Sequence, residues 1–194
     1  MTTTLALVAI GLMMVLSASS FELAAQGKSP YGTFHKQIVW VGIGLAVLVV
    51  VSRLPLNLLK RSAGLILTGS FLLTLLVFTP LGIEVNGNRN WIGVGPFTVQ
   101  PSEFLKLSVI LWAATVLTRR SRLPRHWKQL AVPVLPASLA AVALVLAGKD
   151  LGTAVILALI IAGLFFFAGA SLAVFGCGLV VTGLAAFAAV ISNP

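Results

Sequence analysis

Long apolar stretches alternate with short polar segments along the whole chain. One helix crosses the hydrocarbon core of a bilayer in about 20 residues, and most of the apolar stretches approach this length. The pattern predicts seven transmembrane helices, at about 5–20, 37–51, 62–79, 102–117, 130–146, 151–168 and 171–191. The last two divide an uncharged stretch that is long enough for two spans. We therefore expect a single domain over 1–194 of the all-α class, a polytopic membrane helical bundle.

Composition supports a membrane protein and excludes other classes. Hydrophobic residues make up 59% of the chain and charged residues 9%, whereas soluble domains carry about a quarter charged residues. The net charge of +9 alone would suit a nucleic-acid partner. The cations, however, lie in short segments between apolar spans, which is the topology signal of a membrane protein. We expect no nucleic-acid partner, and the single cysteine, Cys177, excludes an intrachain disulfide.

The positions of lysine and arginine predict the orientation. The segments after the second and fourth predicted helices contain most of the basic residues: Arg53, Lys60, Arg61, Arg119, Arg120, Arg122, Arg125 and Lys128. The positive-inside rule places both segments in the cytoplasm. The N-terminus is then cytoplasmic, and 21–36, 80–101, 148–150 and residue 194 face outward.

One polar segment, NGNRNWIGVGPFTVQPSEFLK at 86–106, stands out from the apolar background. Its glycines and Pro96 predict an outward-facing loop that carries Arg89 and Trp91. Pro101 suits the first position of a helix because it has no N–H to leave unsatisfied. Glu103 then falls in the first turn, where the helix dipole favours an anion.

Lys106 follows Glu103 by three residues and lies near or inside the hydrocarbon boundary. A buried ammonium group there needs an anionic partner, and the candidates are Glu103 and Asp150. Asp150 also precedes an apolar helical run, so it is expected to cap that helix. We predict a structural ion network of Glu103, Lys106 and Asp150 that ties the fourth helix to the sixth. In the alternative, Lys106 extends to the headgroups and does nothing more.

Arg89 and the two histidines are the remaining candidates for chemistry. A planar guanidinium suits phosphate groups, so Arg89 is a candidate phosphate ligand, and Trp91 alternatively belongs to an interfacial aromatic belt. His35 and His126 lie on opposite sides of the membrane, and no Cys/His cluster has metal spacing. The sequence also lacks nucleotide-binding motifs, and the basic 119–128 segment is expected to set topology and contact anionic lipid.

Three motifs give a family resemblance. NRNWIGVGPFTVQPSEFLKL resembles the signature of the SEDS proteins (shape, elongation, division, sporulation), the FtsW/RodA/SpoVE group, in which an Arg-Trp pair precedes Gln-Pro-Ser-Glu-x-x-Lys. GKDLGTAVIL at 148–157 resembles the family's Pro-Asp-Leu-Gly-Thr motif, with Lys149 in place of proline. VLSASS at 15–20 resembles the end of the first helix in FtsW-type members. The matches follow the family's order and spacing over essentially the whole chain.

The resemblance implies a peptidoglycan glycosyltransferase that polymerises lipid II, an undecaprenyl-diphosphate-linked disaccharide pentapeptide, at the outer face of the bacterial cytoplasmic membrane. It implies ten helices, a class B penicillin-binding protein as partner, and work in the division or elongation machinery. The family's proposed catalytic aspartate lies in a loop after the seventh helix, beyond Pro194. We therefore expect an N-terminal fragment with no catalytic residue of its own.

For this chain, the resemblance implies substrate contacts from Arg89, Gln100, Ser102 and Lys106. It implies no cofactor within the chain and leaves a divalent-cation requirement open. Two other functions compete with the glycosyltransferase: a lipid II flippase and a non-catalytic division scaffold. A flippase needs polar groups spread through the bilayer, and most of the predicted helices carry almost none.

Overall fold

The computed structural model describes residues 2–25, 31–85, 87–94, 97–120 and 127–169, together with the single residues 176 and 183. These residues form two compact units, Met1–Pro55 and Leu56–Pro194.

The first unit is a pair of helices, α1 (Thr2–Ala25) and α2 (Tyr31–Arg53), which contact each other. Both helices extend beyond their apolar stretches into the predicted polar segment 21–36, because a helix satisfies its own backbone hydrogen bonds at the edge of a membrane. Arg53 lies in the last turn of α2, where the helix dipole favours a cation.

The second unit contains four long helices. They are α3 (Leu56–Leu75), which continues into a short 3-10 helix (Leu76–Phe78), α4 (Pro101–Arg120), α5 (Trp127–Ala147) and α6 (Leu151–Phe167). Helix α4 lies at the centre, since it contacts α3, α5 and α6. The seventh predicted helix, at about 171–191, lies outside the described residues apart from Gly176 and Gly183, which are helical.

Two groups of buried apolar side chains fill the space around α4. The larger group consists of Leu67, Leu105, Val109, Ala141, Val142, Val145, Ala154 and Leu157. The smaller group consists of Ala113, Leu117, Val134 and Phe165. The opposite faces of the helices expose large apolar side chains such as Leu65 and Leu107. This distribution suits helices that have lipid on one side and protein on the other.

Within the described part of the chain, three helical stretches are long and apolar enough to cross a membrane: Phe34–Arg53, Leu56–Phe78 and Pro101–Arg119. Shorter apolar helices occur at Thr2–Ala18, Val132–Ala147 and Leu151–Phe167. The predicted helical membrane fold is confirmed at this level, whereas the count of seven spans stays a prediction.

The predicted outer loop at 80–101 is not irregular, and the all-α prediction needs this correction. It contains a three-stranded antiparallel sheet, β1 (Gly82–Val85), β2 (Asn88–Val94) and β3 (Phe97–Val99), in the order β1-β2-β3. The Asn-Gly dipeptide at 86–87 is a strong hairpin signal, and Gly87 has the positive φ of 79° that such turns require. Gly87, one of the glycines that suggested a loop, therefore lies in a hairpin turn.

Candidate functional site

A bulge in the sheet positions the first polar group of the site. Ile83 pairs with Trp91, but the next residue of β1, Glu84, pairs with Arg89. Asn90 is therefore the extra residue on β2. Bulges bend a strand and redirect side chains, and they often occur beside functional sites. Here the side chain of the bulged residue reaches the beginning of α6, where Asn90 Nδ2 donates a hydrogen bond to Asp150 Oδ2 at 2.6 Å.

Asp150 is the centre of the polar network. It is only 7% exposed and caps α6, as predicted, by accepting a hydrogen bond from the backbone N–H of Thr153 at 2.9 Å. The Thr153 hydroxyl donates to it at 2.7 Å, and Gln100 Nε2 donates at 3.0 Å. Together with Asn90, these donors join β2, the residue before α4 and the first turn of α6 at one carboxylate.

The environment of Asp150 favours its ionised form. Burial disfavours the charge and so raises the pKa. The hydrogen bonds from the Thr153 side chain, the Thr153 backbone, Asn90 and Gln100 outweigh burial, and the pKa of Asp150 falls below its usual value. A carboxylate stabilised in this way is a weak proton acceptor, so Asp150 is suited to holding structure and not to acting as a general base.

The backbone of the turn between α5 and α6 is hydrogen-bonded to the backbone of β2. The N–H of Arg89 donates to the carbonyl of Gly148 at 3.0 Å. A Cβ atom on Gly148 would lie 2.8 Å from the Arg89 carbonyl oxygen, closer than side chains normally approach. Glycine at 148 therefore permits the close approach of the strand to the turn.

The same turn contains a residue in the left-handed region. Lys149 has φ of 61°. Its N–H donates to the Leu146 carbonyl at 2.9 Å, and the Asp150 N–H donates to the Val145 carbonyl at 3.4 Å. This is the Schellman pattern at the end of α5, with Lys149 at the position that glycine usually occupies. A proline has φ near −65° and cannot adopt this conformation. Lys149, which stands where the family motif has proline, therefore occupies a position whose positive φ excludes proline.

The Arg89 side chain binds carbonyl oxygens at the end of the 3-10 helix. Its Nε donates to Val77 at 3.1 Å and its Nη2 donates to Thr79 at 2.9 Å. A cation is favourable at such a helix end. Arg89 was predicted as a phosphate ligand, and this geometry gives it a structural role. The residue stays solvent-exposed, and a guanidinium has five N–H donors in all.

Of the predicted ion network, Glu103 and Lys106 form a pair, whereas Asp150 belongs to a separate group of hydrogen bonds. Lys106 Nζ lies 2.8 Å from Glu103 Oε1, where Lys106 is 14% exposed and Glu103 56%. Asp150 is not a partner of Lys106 within the described residues, and its hydrogen bonds all come from neutral groups. The prediction that Asp150 joins this network is therefore wrong. The reason is that Asp150 faces the open N–H groups of its own helix, while spacing of three residues brings Glu103 to Lys106 on one face of α4.

The two remaining predicted residues, Gln100 and Ser102, also differ in their contacts. Gln100 reaches Asp150, as described, whereas Ser102 is 3% exposed and its hydroxyl lacks a hydrogen-bond partner among the described residues. The predicted site omitted Asn90 and Thr153, which belong to the network, and Gly148, which contacts β2 in the turn. Thr153 was detectable as a residue in the first turn after a capping aspartate. Asn90 was not, because its direction depends on a bulge.

No group of three or more His, Cys, Asp or Glu side chains gathers as a metal site among the residues that the structure describes. The polar network of Asn90, Gln100, Asp150 and Thr153 is instead a positioning device. It holds β2, the start of α4 and the start of α6 in fixed relation at one end of the second unit.

Comparisons with known proteins identify several similar chains. A probable peptidoglycan glycosyltransferase FtsW of Mycobacterium tuberculosis (strain ATCC 25618 / H37Rv) is 35% identical over 170 residues, which are 87% of this chain and 32% of that protein. The rod shape determining protein RodA of Thermus thermophilus has a similar fold, with a TM-score of 0.66 and 28% identity over 91% of this chain and 57% of that one.

A chain of a peptidoglycan synthase complex, studied for its coordination of polymerization and crosslinking, is also similar. Its TM-score is 0.63 and its identity 28%, over 88% of this chain and 52% of that one. This chain spans 32% of the length of the Mycobacterium tuberculosis relative and 48% of the length of a probable peptidoglycan glycosyltransferase FtsW of Alkalilimnicola ehrlichii (strain ATCC BAA-1101 / DSM 17681 / MLHE-1). The sequence profile of the FtsW/RodA/SpoVE family, described as cell cycle protein, matches residues 1–193. The chain therefore belongs to the FtsW/RodA/SpoVE (SEDS) family and is FtsW-like.

Proposed function

We propose that this protein takes part in polymerising lipid II as an FtsW-type peptidoglycan glycosyltransferase. The observation that carries the proposal is the hydrogen bond between Gln100 and Asp150. It joins the two family-like segments, Gln-Pro-Ser-Glu at 100–103 and Asp-Leu-Gly-Thr at 150–153, which are far apart in the sequence. Relatives named as peptidoglycan glycosyltransferases support the same assignment.

The network is proposed to lie at the outer face of the cytoplasmic membrane. The basic segments at 53–61 and 119–128 favour the cytoplasm, which places the opposite ends of α3 to α6 outside. The N-terminus is then cytoplasmic. Lipid II carries its disaccharide at this outer face, so the sheet and the beginnings of α4 and α6 form the side that meets the substrate.

Two cations are proposed to act on the diphosphate of the substrate. Arg89 and Lys106 have the charge that a diphosphate leaving group requires as its bond breaks. Arg89 is anchored to the carbonyls of Val77 and Thr79, which fixes its position. Gln100 and Ser102 are instead proposed to act indirectly, through the buried network, since one binds Asp150 and the other is 3% exposed.

Neither Glu103 nor Asp150 is proposed as the general base. Glu103 pairs with Lys106, and Asp150 accepts hydrogen bonds from four neutral donors. The resemblance to SEDS proteins assigns the catalytic carboxylate to a loop that follows a seventh helix. This chain is proposed to supply the membrane-embedded platform for that chemistry, together with the contacts that hold the lipid diphosphate.

A class B penicillin-binding protein is the proposed partner. A similar chain belongs to a synthase complex described as coordinating polymerization with crosslinking. Glycan polymerisation produces strands that a crosslinking enzyme must join, so the two activities are expected to be physically coupled during division.

The deciding experiment measures polymerisation of purified lipid II by the protein as its genome encodes it, with and without a class B penicillin-binding protein. Glycan strands of increasing length are the expected product. Lys106→Gln should lower kcat/KM by about tenfold or more if its charge stabilises the leaving group. The matched control is Lys60→Gln, which removes a lysine from the proposed cytoplasmic end of α3 and should leave the rate unchanged.

Two outcomes would contradict the proposed activity, and a third would contradict the role of Lys106. Exchange of a labelled lipid II analogue between leaflets of liposomes, without any glycan strands, would indicate a flippase. Binding to the penicillin-binding protein without either activity would indicate a scaffold. Equal loss of activity in Lys106→Gln and Lys60→Gln would show that the Lys106 charge has no specific part in the reaction.

A further inference from the structure

The contact with Asp150 satisfies the nitrogen of the Asn90 side-chain amide but not its oxygen. Its Nδ2 donates to the carboxylate, but its Oδ1 is buried and has no hydrogen-bond partner among the described residues. Ser102 Oγ, in the first turn of α4, is in the same condition, and its residue is 3% exposed. A buried polar atom without a partner is unfavourable, so native structures nearly always supply one.

Both atoms belong to residues that line one small cavity. The cavity lies where β2, the end of α3, the start of α4 and the end of α5 meet. Its remaining lining comes from Thr74, Val77, Phe78, Arg89, Leu144, Val145 and Gly148. The volume open to the centre of a water-sized sphere is about 10 Å³. This is close to the space that a single water needs, about 10 to 15 Å³.

We propose that one buried water occupies this cavity and bridges Asn90 Oδ1 to Ser102 Oγ. The water donates one hydrogen to the amide oxygen, and it exchanges a second hydrogen bond with the serine hydroxyl. Buried waters typically make about three such bonds. In this arrangement the Ser102 hydroxyl binds the solvent molecule, and its role does not require contact with the lipid substrate.

The water has a consequence for Asp150. An asparagine amide can rotate by half a turn and exchange its oxygen and nitrogen. The rotated amide would place Oδ1 against the Asp150 carboxylate. A water that donates to Oδ1 from the far side holds the orientation in which Nδ2 faces the carboxylate. Asn90 therefore positions Asp150 through its direct hydrogen bond, and Ser102 is a positioning residue that acts on Asn90 through a solvent molecule.

A double-mutant cycle on the intact protein in detergent tests the link. The variants are Ser102→Ala, Asn90→Ala and their combination, measured by thermal unfolding. The two residues share no direct hydrogen bond, so the water is the expected source of any coupling. We expect Ser102→Ala to lower Tm by about 2 to 4 °C in the parent protein and by much less in Asn90→Ala. Additive shifts would overturn the proposal.

Ser138→Ala is the matched control. Ser138 is 1% exposed, and its hydroxyl also has no partner among the described residues, but it does not line this cavity. Its effect on Tm should add to that of Asn90→Ala. Equal coupling of Ser102 and Ser138 to Asn90 would show a general effect of removing buried hydroxyls, and would also overturn the proposal.

Two further measurements separate positioning from simple packing. A high-resolution structure of the intact protein should show density within about 3.2 Å of both Asn90 Oδ1 and Ser102 Oγ, and a dry cavity or a side chain in that place would contradict us. Ser102→Ala should also shift the acid limb of the stability profile to higher pH, since a free amide stabilises ionised Asp150 less well. Ser138→Ala should leave that limb unchanged. These tests are independent of glycosyltransferase activity.

Discussion

The helical interior and the polar end of the second unit satisfy their polar groups in different ways. In the interior, several buried hydroxyls bond within their own helix: Thr74 to Ser70, Ser108 to Leu105 and Thr115 to Leu111. Two buried serines differ, since Ser70 donates to the Phe104 carbonyl of α4 and Ser138 has no partner among the described residues. At the polar end, side chains bond between elements, as Asn90 and Gln100 do with Asp150, and Arg89 does with Val77.

The difference follows from the helix itself. Inside a helix every backbone group has a partner in the same segment, which is why helices can cross lipid. At each end, four N–H or C=O groups remain open and need partners from outside. The interior is therefore held mainly by packing, and the polar end by a few specific hydrogen bonds. Single substitutions at the polar end should be correspondingly severe.

The largest effect is expected from Asp150→Ala. The change removes the α6 cap and leaves the donors of Asn90, Gln100 and Thr153 without their acceptor. Loss of a cap costs about 1 kcal/mol, and each buried unpaired donor adds about 1 to 3 kcal/mol. We expect a loss of at least about 3 kcal/mol, measured by unfolding in detergent. Glu84→Ala, at an exposed carboxylate on β1, is the control and should change stability little.

The acid sensitivity of the fold should have the same origin. The pKa of Asp150 is lower in the folded protein than in the unfolded chain, so ionised Asp150 stabilises the fold above the unfolded pKa, near about 3.9. This stabilisation is lost as pH falls through the folded pKa. A stability profile from neutral to acidic pH should show the loss. Asp150→Asn should abolish this part of the profile, and an unchanged profile would contradict the assignment.

Gly148→Ala should rank next. The added methyl group would meet the Arg89 carbonyl oxygen at 2.8 Å, and backbone cannot yield as a flexible side chain does. Overpacking of this kind costs about 1 to 3 kcal/mol. Gly152→Ala provides the contrast, because its Cβ would lie 3.8 Å from Asp150 Oδ1, an ordinary contact within α6. It should be neutral or stabilising in the same unfolding assay. If Gly148→Ala leaves stability unchanged, the close approach of β2 to the turn is contradicted.

A smaller effect of opposite sign is expected at the turn. Lys149 adopts φ of 61°, a region that is unfavourable by about 1 to 2 kcal/mol for residues with a Cβ. Lys149→Gly removes this strain and should stabilise the protein by about 0.5 to 1 kcal/mol after the greater flexibility of the unfolded chain is included. Lys149→Ala removes the charge but keeps the strain. If both variants stabilise equally, the backbone explanation fails.

The smallest effect should come from the exposed partner of the ion pair. Glu103 is 56% exposed, and pairs of this kind contribute about 0 to 1 kcal/mol. Glu103→Gln should therefore be milder than Asp150→Asn when unfolding is measured in the same detergent. If Glu103→Gln is the more harmful change, the contrast between a carboxylate in a buried network and one in an exposed pair is wrong.

The predictable part of the site lies where the signal is local. Asp150 precedes an apolar helical run, and its capping role needs only its neighbour Thr153. Glu103 and Lys106 are three residues apart on one helix, and their pair follows from helical spacing. Helix ends were displaced by several residues for α2 and α3 because helices continue past their apolar stretches.

The rest of the site depends on contacts between distant segments. Asn90 reaches Asp150 only because a bulge redirects its side chain, and Arg89 reaches Val77 only because β2 lies beside the end of the 3-10 helix. The glycines at 87, 93 and 95 are equally compatible with an irregular loop and with a hairpin. Strand register is set by pairing and packing, and neither is visible in a local pattern.

By itself the sequence determined a helical membrane protein of the SEDS family, since long apolar runs and contiguous motifs are one-dimensional signals. Only the tertiary structure decided that Asp150 binds Asn90 and Gln100 and not Lys106. The physical reason is that a carboxylate is satisfied by whichever donors the fold brings within about 3 Å. That choice depends on a strand, a bulge and a turn whose positions no single segment encodes.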